Sequence, residues 1–153
     1  MNAEDALKKA RDSVLRLLKV RPRSEEEIRE RLIKKNFNPA VIEETIQYFK
    51  KLRLIDDRAF TKGWISSRLL KPYGFYRIQY ELQQKGIELK IIQEELKSAS
   101  EEYSEEEIAN ELAARRLLRY QHPDPQKSKE KLQGFLARRG FSPKAITQTL
   151  KKL

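Results

Sequence analysis

Cysteine is absent from the 153 residues, which removes disulfide staples, thiolate nucleophiles and zinc–thiolate sites together and fits a reducing compartment. Histidine occurs once. His122 sits in a proline-flanked stretch with no second histidine or cysteine beside it, so it reads as an exposed loop residue rather than a catalytic base. The five glycines are scattered, and none falls in the G-x-x-x-x-G-K pattern that cradles nucleotide phosphates. No uninterrupted apolar run nears the length that crosses a bilayer, and residues 1–11 are polar rather than signal-like. The pair Asp56-Asp57 invites comparison with a metal site, but it precedes a helical stretch, where capping and the helix dipole account for it more simply. These absences predict a soluble, cytoplasmic protein that is not an enzyme, with no catalytic residue, no metal and no cofactor.

What the chain has is charge. Lysine and arginine number 33 against 23 aspartates and glutamates, a formal charge of +10 that attracts polyanions such as nucleic acid or acidic protein surfaces. Acidic stretches at 25–27 and 101–107 interrupt the basic ones, so the charge belongs to a patterned, folded surface and not to a basic tail. With 39% hydrophobic residues, 37% charged and a mean hydropathy of −0.78, the apolar cores should be several and small.

A repeat organises those cores. Three segments carry one apolar spacing: Ile28, Leu32, Phe37, Ile42, Ile46; then Ile78, Leu82, Ile87, Ile92, Leu96; then Leu132, Leu136, Phe141, Ile146, Leu150. Steps of four place two side chains on one helix face, and the steps of five cross a break between two helices. At that break stand Asn36, Gly86 and Gly140, residue types that close a helix cheaply in the left-handed region. The following helix opens on Asn38-Pro39 and Ser142-Pro143, a side-chain cap with proline at the first helical position, and on a less marked Glu88-Leu89. A further helical stretch precedes each pair, at 6–18, 58–70 and 105–120, and Ser24 with Glu27 and Ser104 with Glu107 have capping-box spacing. The chain is therefore expected to be all-α: three tandem three-helix, helix-turn-helix-like repeats at 1–55, 56–100 and 101–153, forming an elongated curved array. Connectors are expected at 20–23, 54–57, 71–74, 98–103 and 121–126.

Four stretches resemble, in order, the landmarks of the RecX family of regulatory proteins. Arg21-Pro22-Arg23-Ser24 with Glu27-Ile28-Arg29-Glu30-Arg31-Leu32 is similar to the opening signature, and Ile55-Asp56-Asp57-Arg58-Ala59-Phe60 to the second. Residues 74–78 with Glu81-Leu82 and Lys85-Gly86-Ile87 resemble the central motif, and Arg138-Arg139-Gly140-Phe141-Ser142 the closing one. Asn36 replaces the glycine usual at the first turn, which asparagine tolerates. The resemblance implies three tandem three-helix repeats in a monomer that binds the RecA filament on single-stranded DNA. It further implies inhibition of RecA ATP hydrolysis and strand exchange and limited filament growth; double-stranded DNA stays open as a second ligand. The alternative is a tandem helix-turn-helix transcription factor, but the helix after each turn lacks a set of base-reading Arg, Asn and Gln at its start.

Candidate contacts to the partner or to DNA follow from charge placement. Arg68, Lys71, Tyr73, Tyr76 and Arg77, with Phe75 and Tyr80, alternate cations and aromatics around a proline–glycine break, a combination that grips phosphates and stacks on bases. A structural reading has Trp64, Phe75 and Tyr80 plugging a joint between helices. Arg115 and Arg119 lie four apart, suited to one anion or to a solvated face. Lys34-Lys35, Lys85 and Arg138-Arg139 recur at one helix end, where they offset the dipole. Arg21, Arg23 and Arg29 are the remaining candidates, since an Arg-Pro-Arg connector does not need those charges for its backbone.

Overall fold

Local capping sets the helix starts. In the computed structural model, which describes residues 2–120 and 123–153, nine helices follow one another among the described residues: α1 (Ala3–Val20), α2 (Glu25–Lys34), α3 (Pro39–Lys51), α4 (Asp57–Leu70), α5 (Phe75–Gln84), α6 (Leu89–Glu102), α7 (Glu105–Leu117), α8 (Pro125–Arg138) and α9 (Pro143–Lys151). His122 lies outside the described residues. All but α5 and α6 open on a residue whose side chain accepts a first-turn N–H: Asn2, Ser24, Asn38, Asp56, Ser104, Asp124 and Ser142. Ser24 and Glu27 complete a reciprocal capping box, whereas at Ser104 only the hydroxyl half forms, accepting from the Glu107 N–H at 3.2 Å. The second helix of each set closes on a left-handed residue, Asn36 at φ 65°, Gly86 at 76° and Gly140 at 86°. Arg53, at φ 58°, closes the turn after α3 in the same region without being glycine or asparagine.

Among the boundaries that differ from the sequence reading, two bear on the candidate residues or the core. Residues 98–102 continue α6 instead of forming a connector, because Ala99 still contributes to the apolar face packed on the middle core. At the other, α7 ends at Leu117, so Arg119 falls in the turn beyond it and does not share a helix face with Arg115.

Each set of three helices buries its own core. Ala10, Val14, Ile28, Leu32, Ile42, Ile46, Phe49 and Ile55 form the first, Phe60, Ile65, Ile78, Leu82 and Ile92 lie in the second, and Ala109, Ala113, Leu132, Leu136 and Phe141 in the third. The main helix pairings, α1 with α3, α4 with α6 and α7 with α9, stay within a module. Three all-α modules in a row therefore carry three cores. The exposed surface of 10080 Å² exceeds the roughly 8,100 Å² that mass scaling gives for a compact monomer of 18.1 kDa, the signature of an elongated chain.

Candidate nucleic-acid interface

The modules meet where the start of one second helix abuts the close of the next. At the first joint the Ser24 hydroxyl, which caps α2, donates to the Lys85 carbonyl at 2.7 Å, on the turn that ends α5. A side chain on Gly86 is excluded there, since its Cβ would stand 2.4 Å from Cβ of Glu26. Asp57, at the first position of α4, accepts the Glu25 N–H at 2.9 Å and so satisfies a first-turn donor of the preceding module.

The second joint uses the same plan with closer backbones. Gly74 N–H donates to the Arg139 carbonyl and Tyr76 N–H to the Gly140 carbonyl, both at 2.9 Å. Glu105, at the first position of α7, accepts the Phe75 N–H at 2.8 Å and the Ser142 hydroxyl at 2.6 Å. A Cβ on Gly74 would lie 2.3 Å from the Gly140 carbonyl oxygen, and one on Gly140 2.2 Å from Cβ of Arg77. Asn36, at the close of α2, is the one of the three left-handed residues that carries a side chain.

Charge separates the joints. At the first, Glu27 pairs with Arg21, accepts the Ser24 N–H at 3.2 Å and lies 3.5 Å from Lys85 Nζ. Burial alone would push the Glu27 carboxyl up, but the Arg21 and Ser24 hydrogen bonds and the Lys85 charge hold it below the usual range. Arg29 is enclosed by Glu25 and Glu26, each at 3.2 Å, and Glu43 at 2.8 Å. Burial works against its charge and these carboxylates outweigh it, so its affinity for a proton rises. Arg23 differs: burial and then the Arg21 charge lower its proton affinity, and its buried Nε has no hydrogen-bond partner among the described residues.

Arg77 stands 50 residues after Glu27, and Arg139 stands 54 after Lys85. At the second joint two cations therefore occupy the positions of an ion pair. The Arg77 guanidinium lies 3.8 Å and that of Arg139 5.2 Å from the ring centre of Tyr73, and among the described residues neither meets a carboxylate. Arg139 also reaches the Lys71 carbonyl at 3.4 Å. Tyr76 and Tyr80, one turn apart on α5, are 60% and 61% exposed.

Lys71, Tyr73 and Arg77 of the cation–aromatic stretch thus converge on one joint, with Tyr76 facing outward beside them. Arg68 lies 5.4 Å from Tyr73 but is tied to Glu81 at 2.8 Å. Trp64 and Phe75 pack on the middle core; Tyr80, expected with them, does not. Asp56 serves as a cap, accepting the Ala59 N–H at 3.0 Å, and no group of acidic, histidine or cysteine side chains among the described residues could hold a metal. No helix among the described residues is long and apolar enough to cross a membrane.

The RecX models for the first, second and third three-helix domains match residues 10–49, 56–96 and 104–150. The regulatory protein RecX of Chlorobium phaeobacteroides is 38% identical over 95% of this chain and 94% of its own, and that of Prosthecochloris aestuarii 34% identical over the same shares. The crystal structure of RecX from Lactobacillus salivarius superposes with a TM-score of 0.89 at 23% identity, covering 98% of this chain and 97% of the other. The chain belongs to the RecX family. It is accordingly a regulatory protein and not an enzyme.

Within these RecX domains, Arg139 is the residue that sequence reasoning passed over. A cation at the close of the second helix recurs in all three copies, and the helix dipole alone accounts for that recurrence. The overlay of Glu27 on Arg77 carried the missing signal, because it changes the partner that the recurring cation meets.

Proposed function

We propose that this chain modulates the RecA recombinase by binding its filament on single-stranded DNA, slowing ATP hydrolysis and strand exchange and restraining filament growth. Membership of a family of regulatory proteins supports the regulatory part. The observation that carries the nucleic-acid contact is the approach of both Arg77 and Arg139 to the Tyr73 ring, neither with a carboxylate partner among the described residues. Two guanidiniums at one ring repel each other, and a backbone phosphate between them converts that repulsion into charge-assisted hydrogen bonds. Lys71 adds a third cation, and the exposed Tyr76 and Tyr80 rings offer stacking, worth about 1–3 kcal/mol per base. Modules joined end to end suit a polymeric partner, and a monomer already supplies three of them. Arg115 is exposed on the last turn of α7, whereas Arg21 and Arg29 are neutralised by carboxylates of the first module.

Adding the protein to RecA turning over ATP on single-stranded DNA tests the reading directly. Hydrolysis falls as the protein is titrated in; hydrolysis and strand exchange both unchanged at saturation would rule it out. Arg77→Ala lowers the slope of log affinity against log salt by about one unit if a phosphate is the contact.

A further inference from the structure

A second surface lies between the first two modules, a groove of about 390 Å³ whose floor is Leu54, Phe60, Gly63 and Trp64 and whose rim carries Arg23 and Arg53. Gly63 sits inside α4, where glycine weakens a helix, yet a Cβ built on it meets nothing within 4 Å. Nothing within the chain requires the missing side chain; its absence leaves room for a group from outside. The indole of Trp64 already has a ring and two cations against it. Phe60 stacks on it from the preceding turn, with ring centres 5.8 Å apart and planes at 19°, and Arg68 lies over it from the following turn at 4.7 Å, beside Lys85 at 5.2 Å. A base stacking on the indole would compete with Phe60, Arg68 and Lys85 for its ring, whereas an apolar side chain over Gly63 competes with none of them.

The rim sets the charge of the occupant. Neither Arg23 nor Arg53 meets a carboxylate among the described residues; Arg21, also at the rim, is neutralised by Glu27, and the rim's Asp56 is occupied in capping α4. Arg53 holds its cation there from a left-handed backbone that glycine would adopt more easily. We infer that this groove docks an acidic peptide segment of a protein partner, which inserts one aliphatic or aromatic side chain over Gly63 between Trp64 and Leu54 and sets its flanking carboxylates on Arg23 and Arg53. An apolar anchor inside a charged rim is the usual form of a protein-binding hot spot. The inference is independent of the strand contact at the second joint, which involves none of these residues.

Trp64 is the single tryptophan of the chain, so its fluorescence reports the groove directly. The probes are short capped peptides with glutamates flanking a central Phe, Leu or Ala, titrated at low salt, with oligothymidylate in parallel. The Phe and Leu peptides shift the emission saturably, bind about tenfold more tightly than the Ala peptide, and weaken as salt rises. Gly63→Leu puts a side chain into the groove at a position whose Cβ meets nothing within 4 Å, and Arg53→Gly removes a rim cation while relieving the backbone. Each loses about tenfold in peptide affinity with thermal stability retained, so the loss cannot be assigned to unfolding. No emission change with any peptide, equal affinity for the Phe and Ala peptides, or Gly63→Leu binding as tightly as the unaltered chain would each overturn the inference. Displacement of the peptide by oligothymidylate would also overturn it and assign the groove to nucleic acid.

Discussion

The two joints of this array are one device built in two ways. At the first, a serine hydroxyl reaches across to a carbonyl, and a glutamate between two cations neutralises the contact. At the second, glycine lets backbone meet backbone, and an arginine replaces the glutamate beside a second arginine. At the first joint the facing cations Arg21 and Lys85 share Glu27, and only Arg23 beside them stays unpaired among the described residues. The second is satisfied only in hydrogen bonds. A repeat thus holds its geometry through main-chain and capping contacts, while the side chain at one register position decides whether a joint is closed on itself or open to an anion.

Exchanging the residues that differ is the strongest way to break the comparison. Gly74→Ser copies the first joint into the second, but its Cβ would meet backbone atoms of Gly140 and Phe141 at 2.3 Å, which cannot rotate away. Overpacking of this kind costs about 3 kcal/mol, read as a lower thermal midpoint. The reverse change, Ser24→Gly, loses two hydroxyl hydrogen bonds, to the Lys85 carbonyl and from the Glu27 N–H, and costs about 1–2 kcal/mol. Equal effects would mean that the joints are not built differently.

The next swap concerns charge. Glu27→Arg removes the capping box and leaves Arg21, Lys85 and the new cation together, for an expected loss of about 2 kcal/mol in denaturant melts. Arg77→Glu does the opposite at the second joint, giving Arg139 a carboxylate. Stability should hold or rise by up to about 1 kcal/mol, the scale of a partly exposed ion pair. Binding to single-stranded DNA should weaken, with the salt slope smaller by about one unit. A destabilised Arg77→Glu, or one that binds DNA as before, would remove the case for an anion site there.

Local features of this arrangement were legible in the sequence, and its interlocks were not. The left-handed turns at Asn36, Gly86 and Gly140 and the caps at Ser24, Asn38 and Ser142 depend on residues within a few positions, so spacing and residue type fix them. The bonds Ser24 to Lys85, Glu25 to Asp57 and Phe75 to Glu105 join residues 61, 32 and 30 positions apart, and no periodicity carries them. Asp57 and Glu105 are 48 residues apart, out of step with the 54-residue offset from Ile78 to Leu132, so overlaying the copies on their apolar sets hides their common role. Among the candidate cations, Arg29 could have been set aside from sequence, with Glu25 and Glu26 four and three residues before it. Arg68 could not, since Glu81 reaches it across the proline–glycine break.

Acid titration gives the smallest and most local test, because the first joint holds carboxylates displaced in opposite directions. Burial raises Asp57, reinforced by the Glu25 and Asp56 charges and only partly countered by the Glu25 N–H and by Lys50. Burial also acts to raise Glu27, but hydrogen bonds and cations there win and hold it low. A depressed carboxyl adds stability that is present above its unfolded value, near about pH 4.3, and is lost as pH falls through the folded value. A raised one costs stability at neutral pH, and the cost is relieved as pH falls through its folded value toward about 3.9. Asp57→Asn keeps an oxygen for the Glu25 N–H while removing the charge. Since Asp57 is only half-buried, it should gain less than about 1 kcal/mol at pH 7, a gain that fades near pH 4. Glu27→Gln should be less stable than the parent chain at pH 7 and converge with it below about pH 4. Melts across this range measure both. An Asp57→Asn variant destabilised at neutral pH would mean that the anionic bond to Glu25 N–H outweighs the penalty of burying the charge, making that carboxylate a fastener between the modules.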